Sequence, residues 1–277
     1  MSSPTENQPG AFRFGICGGM ISPADPLGAG IAEQLAALGY DYLELSLRDL
    51  AALPEAAVAP LAARLLRAGR RCEACNNFFP AEIRLTGPAA DLPAALAYAR
   101  AALARAARFG VEVVVFGSSG ARNVPEGFPR EKAWDQLRTL LASLGPLAGE
   151  LGLTIAIEHL NRGESNIVNL LADGLRLARE VNHPRIRVLA DSYHVLLERE
   201  DPAILGQVGP LLAHVHIAEH AERLFPSGGD EALANFFQQL RAAGYAGRVS
   251  IEAYPQDFPA EAARALRVCR ELAKAGG

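Results

Sequence analysis

The chain has 277 residues, half of them hydrophobic and 21% charged, a composition typical of a globular protein with a sizeable core. Its formal net charge is -4 and its 27 Lys and Arg residues are dispersed, whereas nucleic-acid-binding proteins need clustered basic residues. No apolar run approaches the roughly 18 residues of a membrane span, and the N-terminal segment lacks the apolar stretch of a signal peptide. We therefore expect a cytoplasmic protein without nucleic-acid or membrane partners, with a disordered arm over residues 1–10.

The chain repeats one unit, in which an Ala/Leu-rich stretch ends in glycine and a β-branched run follows. Glycine and asparagine at such junctions favour the left-handed conformation that ends a helix. The junction residues are Gly39, Gly69, Gly110, Gly152, Asn182 and Gly244. The runs predict eight strands, over residues 12–17, 42–45, 71–76, 111–117, 154–159, 187–192, 213–218 and 248–253.

Eight strands alternating with helices predict an α/β fold, a single-domain (β/α)8 TIM barrel over residues 11–277. The alternative is a doubly wound open sheet, whose dinucleotide-binding version carries G-x-G-x-x-G after its first strand. The corresponding segment is Gly15-Ile-Cys-Gly18-Gly19-Met, which does not fit that pattern. The barrel is therefore the favoured fold.

The four cysteines are expected to be reduced in a cytoplasmic protein. Cys72 and Cys75 form a C-x-x-C in a strand-like run, where residues three apart are expected on opposite faces. Because no second cysteine pair completes a zinc site, we expect ordinary burial of all four as small hydrophobic residues.

Four consecutive strands in the second half of the chain end on metal-binding side chains. Bulky residues alternate with these side chains, which places the bulky ones under the helices and turns the polar ones into the barrel. The carboxyl ends of barrel strands meet at one face, so the four side chains should converge there. They are Glu158, Asp191, His216 and Glu252.

Three carboxylates with one imidazole favour Mn²⁺, Mg²⁺ or Co²⁺ over a structural zinc ion, which prefers Cys and His. Four protein ligands would leave coordination positions open for oxygens of a substrate. The alternative interpretation is four unrelated polar residues on the rim of a barrel.

Four motifs carry a resemblance to a known family. They are Ile157-Glu158-His-Leu-Asn161-Arg162, Asp191-Ser-Tyr-His194, His214-Val-His216-Ile-Ala-Glu219 and Ile251-Glu252. Together they resemble the sugar isomerase/epimerase superfamily with xylose-isomerase-like barrels, and within it the ketose 3-epimerases of the D-tagatose/D-psicose 3-epimerase type. The resemblance covers nearly the whole chain from residue 12 and is densest between Glu158 and Glu252.

The resemblance implies that the four strand-end residues hold one divalent metal ion, with Mn²⁺ preferred and Mg²⁺ or Co²⁺ as alternatives. It implies that Glu158 and Glu252 are also the acid/base pair of a ketose epimerisation through a metal-stabilised enediolate. Glu164, His194 and an arginine after the seventh strand would contact the sugar. The family has that arginine six residues after the metal histidine, where this chain has Glu222 followed by Arg223. A homo-oligomer, a dimer or tetramer, is also implied.

Asp230 precedes the helix after the seventh strand, a region where barrels often bind phosphate. Its carboxylate at the helix N-terminus would repel a phosphate group, so we expect a small, non-phosphorylated sugar as substrate.

Other functions are compatible with the same barrel. A metal-dependent dehydratase of an inosose or a dehydroshikimate-like compound also begins by removing a proton beside a carbonyl, and aldose–ketose isomerisation uses the same metal. A non-catalytic sugar-binding protein is a further alternative. An apurinic-site endonuclease is disfavoured, because strands two to four end without the histidines that a three-metal cluster needs.

Overall fold

The computed structural model describes residues 12–274, so the predicted arm over residues 1–10 lies outside the described residues. Eight parallel strands pair in chain order, and the eighth pairs with the first to close a barrel. This confirms the predicted (β/α)8 fold. The strands are β1 (Arg13–Cys17), β2 (Tyr42–Ser46), β3 (Cys72–Asn76), β4 (Val113–Phe116), β5 (Thr154–Glu158), β6 (Ile186–Asp191), β7 (Leu212–Ile217) and β8 (Arg248–Ile251).

Helices surround the barrel. They are α1 (Ala32–Leu38), α2 (Leu47–Ala52), α3 (Glu55–Arg67), α4 (Leu92–Arg108), α5 (Ser119–Arg122), α6 (Arg130–Glu150), α7 (Leu171–Val181), α8 (Ser192–Leu197), α9 (Leu205–Val208), α10 (Glu231–Ala242) and α11 (Phe258–Lys274). Between residues 12 and 274, no helix combines the length and the apolar composition needed to cross a membrane.

The residues predicted to end helices adopt the left-handed conformation. Their φ angles are positive, from +48° at Asn182 to +86° at Gly39. The junctions lie at the bottom of the barrel, so each one returns the chain from a helix to the start of the next strand. The local signals therefore placed the strands within about two residues of their observed bounds.

The core has two layers. The larger lies between the strands and the helices and takes up the bulky residues that alternate with the inward-facing ones, such as Ile155, Ile157, Val249 and Ile251. A smaller cluster fills the barrel interior, with Tyr42, Ala74, Val113, Val115, Ala156 and Leu189. This division confirms the alternation used to orient the strand-end side chains.

The prediction that Cys72 and Cys75 face opposite sides of the third strand is wrong. The pairing of β2 with β3 shifts register, so that Leu43 pairs with Cys72 but Glu44 pairs with Ala74. The extra residue of this bulge changes the alternation, and both sulfur atoms lie in the outer layer, 3.7 Å apart. The burial expected for all four cysteines is observed.

The amino-terminal end of the barrel holds a compensated buried carboxylate. Glu73 accepts hydrogen bonds from Nη1 and Nη2 of Arg13, each at 2.6 Å, and from Nε of Arg248 at 2.8 Å. Arg248 also lies 2.6 Å from the carboxylate of Glu112. Each buried charge at this end therefore has a partner of opposite sign.

Candidate metal centre and active site

The carboxyl ends of β5 to β8 bring the four predicted ligands together. Glu158 and Asp191 are the last residues of β5 and β6, His216 lies one residue before the end of β7, and Glu252 directly follows β8. One ligand atom from each residue lies within 4.8 Å of the others. All four side chains are buried, and the most exposed, Glu252, has a relative exposure of 7%. These distances fit a single small cation.

His216 is the centre of this cluster. Its Nδ1 atom lies 3.1 Å from Oε1 of Glu158 and 3.1 Å from Oε2 of Glu252. Asp191 is held by the start of a helix: its Oδ1 atom accepts a hydrogen bond from the backbone N–H of Tyr193 at 2.8 Å and so caps α8. The four residues are thus held by the ends of four strands, and Asp191 also by the start of α8.

Arg223 is the guanidinium that contacts this carboxylate cluster. Its Nη2 atom donates to Oε2 of Glu252 at 2.5 Å and lies 3.5 Å from Oδ2 of Asp191. Its Nη1 atom donates to Oε1 of Glu164 at 3.4 Å, and its guanidinium carbon lies 4.8 Å from the ring centre of Tyr193. One guanidinium does not balance three buried carboxylates and Glu164. A divalent cation bound here would compensate the carboxylates in their ionised form.

The carboxyl groups differ in their electrostatic surroundings. Burial, and then repulsion from Glu252, raises the pKa of Glu158. Burial raises the pKa of Asp191 to about 7, against the opposing effect of Arg223. Burial also favours a higher pKa for Glu252, but the positive charges of His216 and Arg223 outweigh this effect and hold its pKa well below the usual range. Glu252 is therefore an anion at neutral pH, whereas Glu158 retains a proton more readily.

The structure places Glu164, His194 and Arg223 at the same mouth of the barrel. Nδ2 of Asn161 donates to Oε1 of Glu164 at 3.0 Å and lies 2.9 Å from Nδ1 of His194. The backbone N–H of Asn161 also donates to Nδ1 of His194, at 3.2 Å, so that nitrogen is an acceptor. The pKa of His194 is lowered by burial, and its Nε2 atom makes no hydrogen bond within residues 12–274, although Oδ2 of Asp191 lies 3.5 Å from it. A neutral His194 therefore carries its proton on Nε2.

The loop after β7 explains how Arg223, rather than the residue at position 222, reaches the carboxylates. Glu222 and Arg223 both have positive φ angles, +63° and +54°, and the backbone N–H of Glu219 donates to the carbonyl of Leu224 at 2.9 Å. Two left-handed residues inside such a pairing make a tight turn. The turn leaves Glu222 exposed and directs Arg223 inward.

Three further residues shape the site and were not predicted. Nδ2 of Asn76 donates to Oε1 of Glu252 at 3.0 Å, and Oε1 of Glu44 lies 3.1 Å from Nε2 of His216. A Cβ atom at Gly117 would lie only 1.8 Å from Oε2 of Glu158, so a residue with a side chain there would displace this carboxylate. Glu44 stands between Leu43 and Leu45 on β2. The alternation argument applied to strands five to eight would therefore also have predicted that Glu44 points into the barrel.

Comparison with known proteins places this geometry in a family. The chain is 24% identical over 231 residues to D-psicose 3-epimerase of Agrobacterium fabrum, covering 80% of this chain and 78% of that protein. It is 31% identical over 138 residues to 3-dehydroshikimate dehydratase of Pseudomonas putida, covering 45% of this chain but only 21% of that protein.

A solved structure of D-psicose 3-epimerase from Clostridium cellulolyticum H10 with D-tagatose superposes with a TM-score of 0.80 at 20% identity, covering 94% of this chain and 99% of that one. At this identity the likeness shows the fold alone. The family model described as xylose isomerase-like TIM barrel matches residues 32–272. The match spans most of the described barrel, and the chain therefore belongs to the xylose isomerase-like TIM barrel family.

Proposed function

We propose that the protein is a divalent-metal-dependent epimerase of a small, non-phosphorylated ketose, in which Glu158, Asp191, His216 and Glu252 hold the metal ion. The observation that carries this proposal is the convergence of these four buried ligands within 4.8 Å of one another. Oxygen-rich ligation with one imidazole suits Mn²⁺, with Mg²⁺ and Co²⁺ as alternatives. The similarity to a D-psicose 3-epimerase supports a ketose as the substrate class.

The bound cation would supply Lewis-acid polarisation of the substrate carbonyl, which acidifies the neighbouring C–H. Epimerisation then needs a base on one face of that carbon and an acid on the other. Glu252 and Glu158 follow different strands of the barrel, and each has a carboxylate oxygen 3.1 Å from Nδ1 of His216. Their pKa values are displaced in opposite directions, which is the arrangement expected of an acid/base pair.

The proton transfers follow from this pair. The anionic carboxylate of Glu252 removes the proton from the carbon beside the carbonyl, and the C–H electron pair becomes the double bond of an enediolate. Glu158 donates a proton to the opposite face of that carbon, the C=C electron pair forms the new C–H bond, and an electron pair on oxygen re-forms the C=O. Before the next turnover in the same direction, Glu252 releases its proton to solvent and Glu158 takes one up from solvent. The reverse reaction exchanges the roles of the two residues.

The remaining polar groups would orient the sugar. Arg223 and the Nε2–H of His194 are donors at the barrel mouth, and Glu164 is an acceptor held by Asn161. Donors and an acceptor beside the metal ligands suit the hydroxyl groups of a polyol.

A dehydratase is the second candidate, favoured by the similarity to 3-dehydroshikimate dehydratase. It would share the first proton removal and then lose a hydroxyl group instead of regaining a proton. The product would be lighter by one water molecule.

The test is to incubate the Mn²⁺-loaded protein in heavy water with D-psicose, D-tagatose and D-fructose. We expect one deuterium beside the carbonyl and a new epimer on chromatography. A product that has lost water would favour the dehydratase. Deuterium exchange with none of the sugars would favour a non-catalytic sugar-binding protein, and the proposal would fail.

A further inference from the structure

Beneath the metal ligands, the barrel interior holds a polar network beside the apolar cluster that includes Val113, Val115 and Leu189. The members of the network, Tyr42, Glu44, His214 and Ser250, have no exposed surface, and neither has His216 above them. A buried carboxylate is costly unless it is paired and hydrogen-bonded. The burial of Glu44 is therefore explained by the groups that contact its two oxygens.

Glu44 joins the network to the metal ligand His216. Its Oε1 atom lies 3.1 Å from Nε2 of His216, and its Oε2 atom lies 2.8 Å from Nε2 of His214. The hydroxyl of Ser250 donates to the same Oε2 atom at 2.5 Å and lies 2.8 Å from the hydroxyl of Tyr42. Both oxygens of Glu44 are thus fixed, and so is the position of the atom that faces His216.

The two nitrogens of His216 have different surroundings. Nε2 faces Glu44, whereas Nδ1 lies 3.1 Å from both Glu158 and Glu252. A neutral imidazole carries one proton, and a nitrogen that binds a metal must be without it. A hydrogen bond from Nε2–H to Glu44 therefore leaves the lone pair of Nδ1 directed at the cluster of carboxylates.

We propose that Glu44 is a positioning residue, which keeps the proton of His216 on Nε2 and aims Nδ1 at the metal ion. The inference rests on the proposed metal site and adds a residue that does not itself contact metal or substrate. A carboxylate behind a ligating histidine fixes the ring and strengthens the ligand, and its loss typically weakens metal binding about 10- to 100-fold.

The same atoms could instead bind a second cation. Cys17, Glu44 and His216 also offer three ligand atoms within 4.8 Å of one another, with Sγ of Cys17 3.8 Å from Nε2 of His216. A cation among them would bind Nε2 and remove its proton. We favour the hydrogen bond, because Oε1 and Oε2 of Glu44 already face His216, His214 and Ser250 at hydrogen-bonding distances.

The first test is isothermal titration of the metal-free protein with Mn²⁺, comparing wild type with Glu44→Gln. The amide is similar in size but removes the charge and can present N–H to Nε2, which would move the histidine proton to Nδ1. We expect the dissociation constant to rise about 10- to 100-fold. Glu73→Gln, at the opposite end of the barrel, is the matched control and should stay within about twofold of wild type.

The titrations test the role of Glu44 separately from the existence of the metal site. If wild type and Glu44→Gln bind Mn²⁺ equally, the positioning role is wrong and the metal site stands. If the wild-type protein binds no divalent ion, the metal site fails and the role of Glu44 fails with it. Circular dichroism on both variants establishes that they are folded.

A second measurement uses the wild-type protein and so does not depend on the folding of a variant. The ¹⁵N NMR signals of His216 in the Zn²⁺-loaded protein, assigned by their loss in His216→Gln, should show a protonated Nε2 and a metal-bound Nδ1. A metal ion on Nε2, or an Nε2 without a proton, would overturn the proposal.

Discussion

The two ends of the barrel interior both bury carboxylates, but they differ in how the charge is balanced. At the amino-terminal end Glu73 has two arginines within 2.8 Å. At the carboxyl-terminal end Glu158, Asp191 and Glu252 share the guanidinium of Arg223 and the imidazole of His216, and Asp191 also lies 3.5 Å from Nε2 of the neutral His194. The first end is complete with side chains alone, whereas the second places acidic side chains together and the pKa values of two of them, Glu158 and Asp191, are raised.

The difference teaches which buried charges to interpret as structural and which as functional. A compensated ion pair is explained by its own partners. Uncompensated carboxylates are costly to bury, so their retention indicates a ligand that supplies the missing charge. Substitutions at the two ends should therefore change different properties of the protein.

The largest effect is expected from Glu252→Gln, which removes the proposed base while keeping its shape. Deuterium exchange into the substrate should fall by about a thousandfold, within the range of general acid–base catalysis. Some Mn²⁺ binding should survive, because the amide oxygen and three other ligands remain. Rates of exchange and titration with Mn²⁺ measure the two properties separately. Full exchange activity would rule out the assigned role.

Gly117→Ala should act on Glu158 without changing any ligand. The new Cβ atom would lie 1.8 Å from Oε2 of Glu158, so the carboxylate has to move. A displacement of about 1 Å in an active site can reduce turnover about 100-fold. The matched control is Gly206→Ala in α9, where a Cβ atom meets nothing within 4 Å. Wild-type kcat in Gly117→Ala would contradict the proposed role of Glu158.

Stabilisation by metal should depend on pH. Asp191 has a pKa of about 7 because of burial, and the pKa of His216 is raised by neighbouring acidic groups against the effect of burial. Both therefore hold protons in the metal-free protein near neutral pH, and a cation has to displace them. Lowering the pH from 8 to 6 favours the protonated site, so Mn²⁺ should raise Tm more at pH 8. Thermal melts with and without Mn²⁺ measure this. An equal shift at both values would mean that no proton is displaced.

Much of the fold could be predicted from the sequence because its signals are local. Alternation within each strand orients the side chains of that strand, and a glycine or Asn182 ends a helix whatever lies elsewhere in the chain. The convergence of Glu158, Asp191, His216 and Glu252 then follows from the geometry of a closed parallel barrel, in which all strand ends meet at one face.

What could not be predicted depends on contacts between distant segments. The bulge that brings Cys72 beside Cys75 arises from pairing with β2. The turn that directs Arg223 inward uses two left-handed residues that are not glycine, and neither residue type indicates it. Glu44 and His216 are 172 residues apart, so their contact exists only once the barrel has closed.

The smallest effect on the metal site is expected from Glu73→Gln at the amino-terminal end. The substitution leaves Arg13 and Arg248 without the carboxylate that both contact at 2.6–2.8 Å. Arg13 is partly exposed and Arg248 retains Glu112, so solvent and the remaining ion pair limit the loss. We expect the free energy of unfolding to fall by about 1–3 kcal/mol, measured by urea denaturation of the metal-free protein.

Mn²⁺ affinity should stay within about twofold, because the sites are far apart and share no partner. A large loss of affinity would show that the two ends are coupled through the barrel interior, and the separation of structural from functional charge would not hold for this protein.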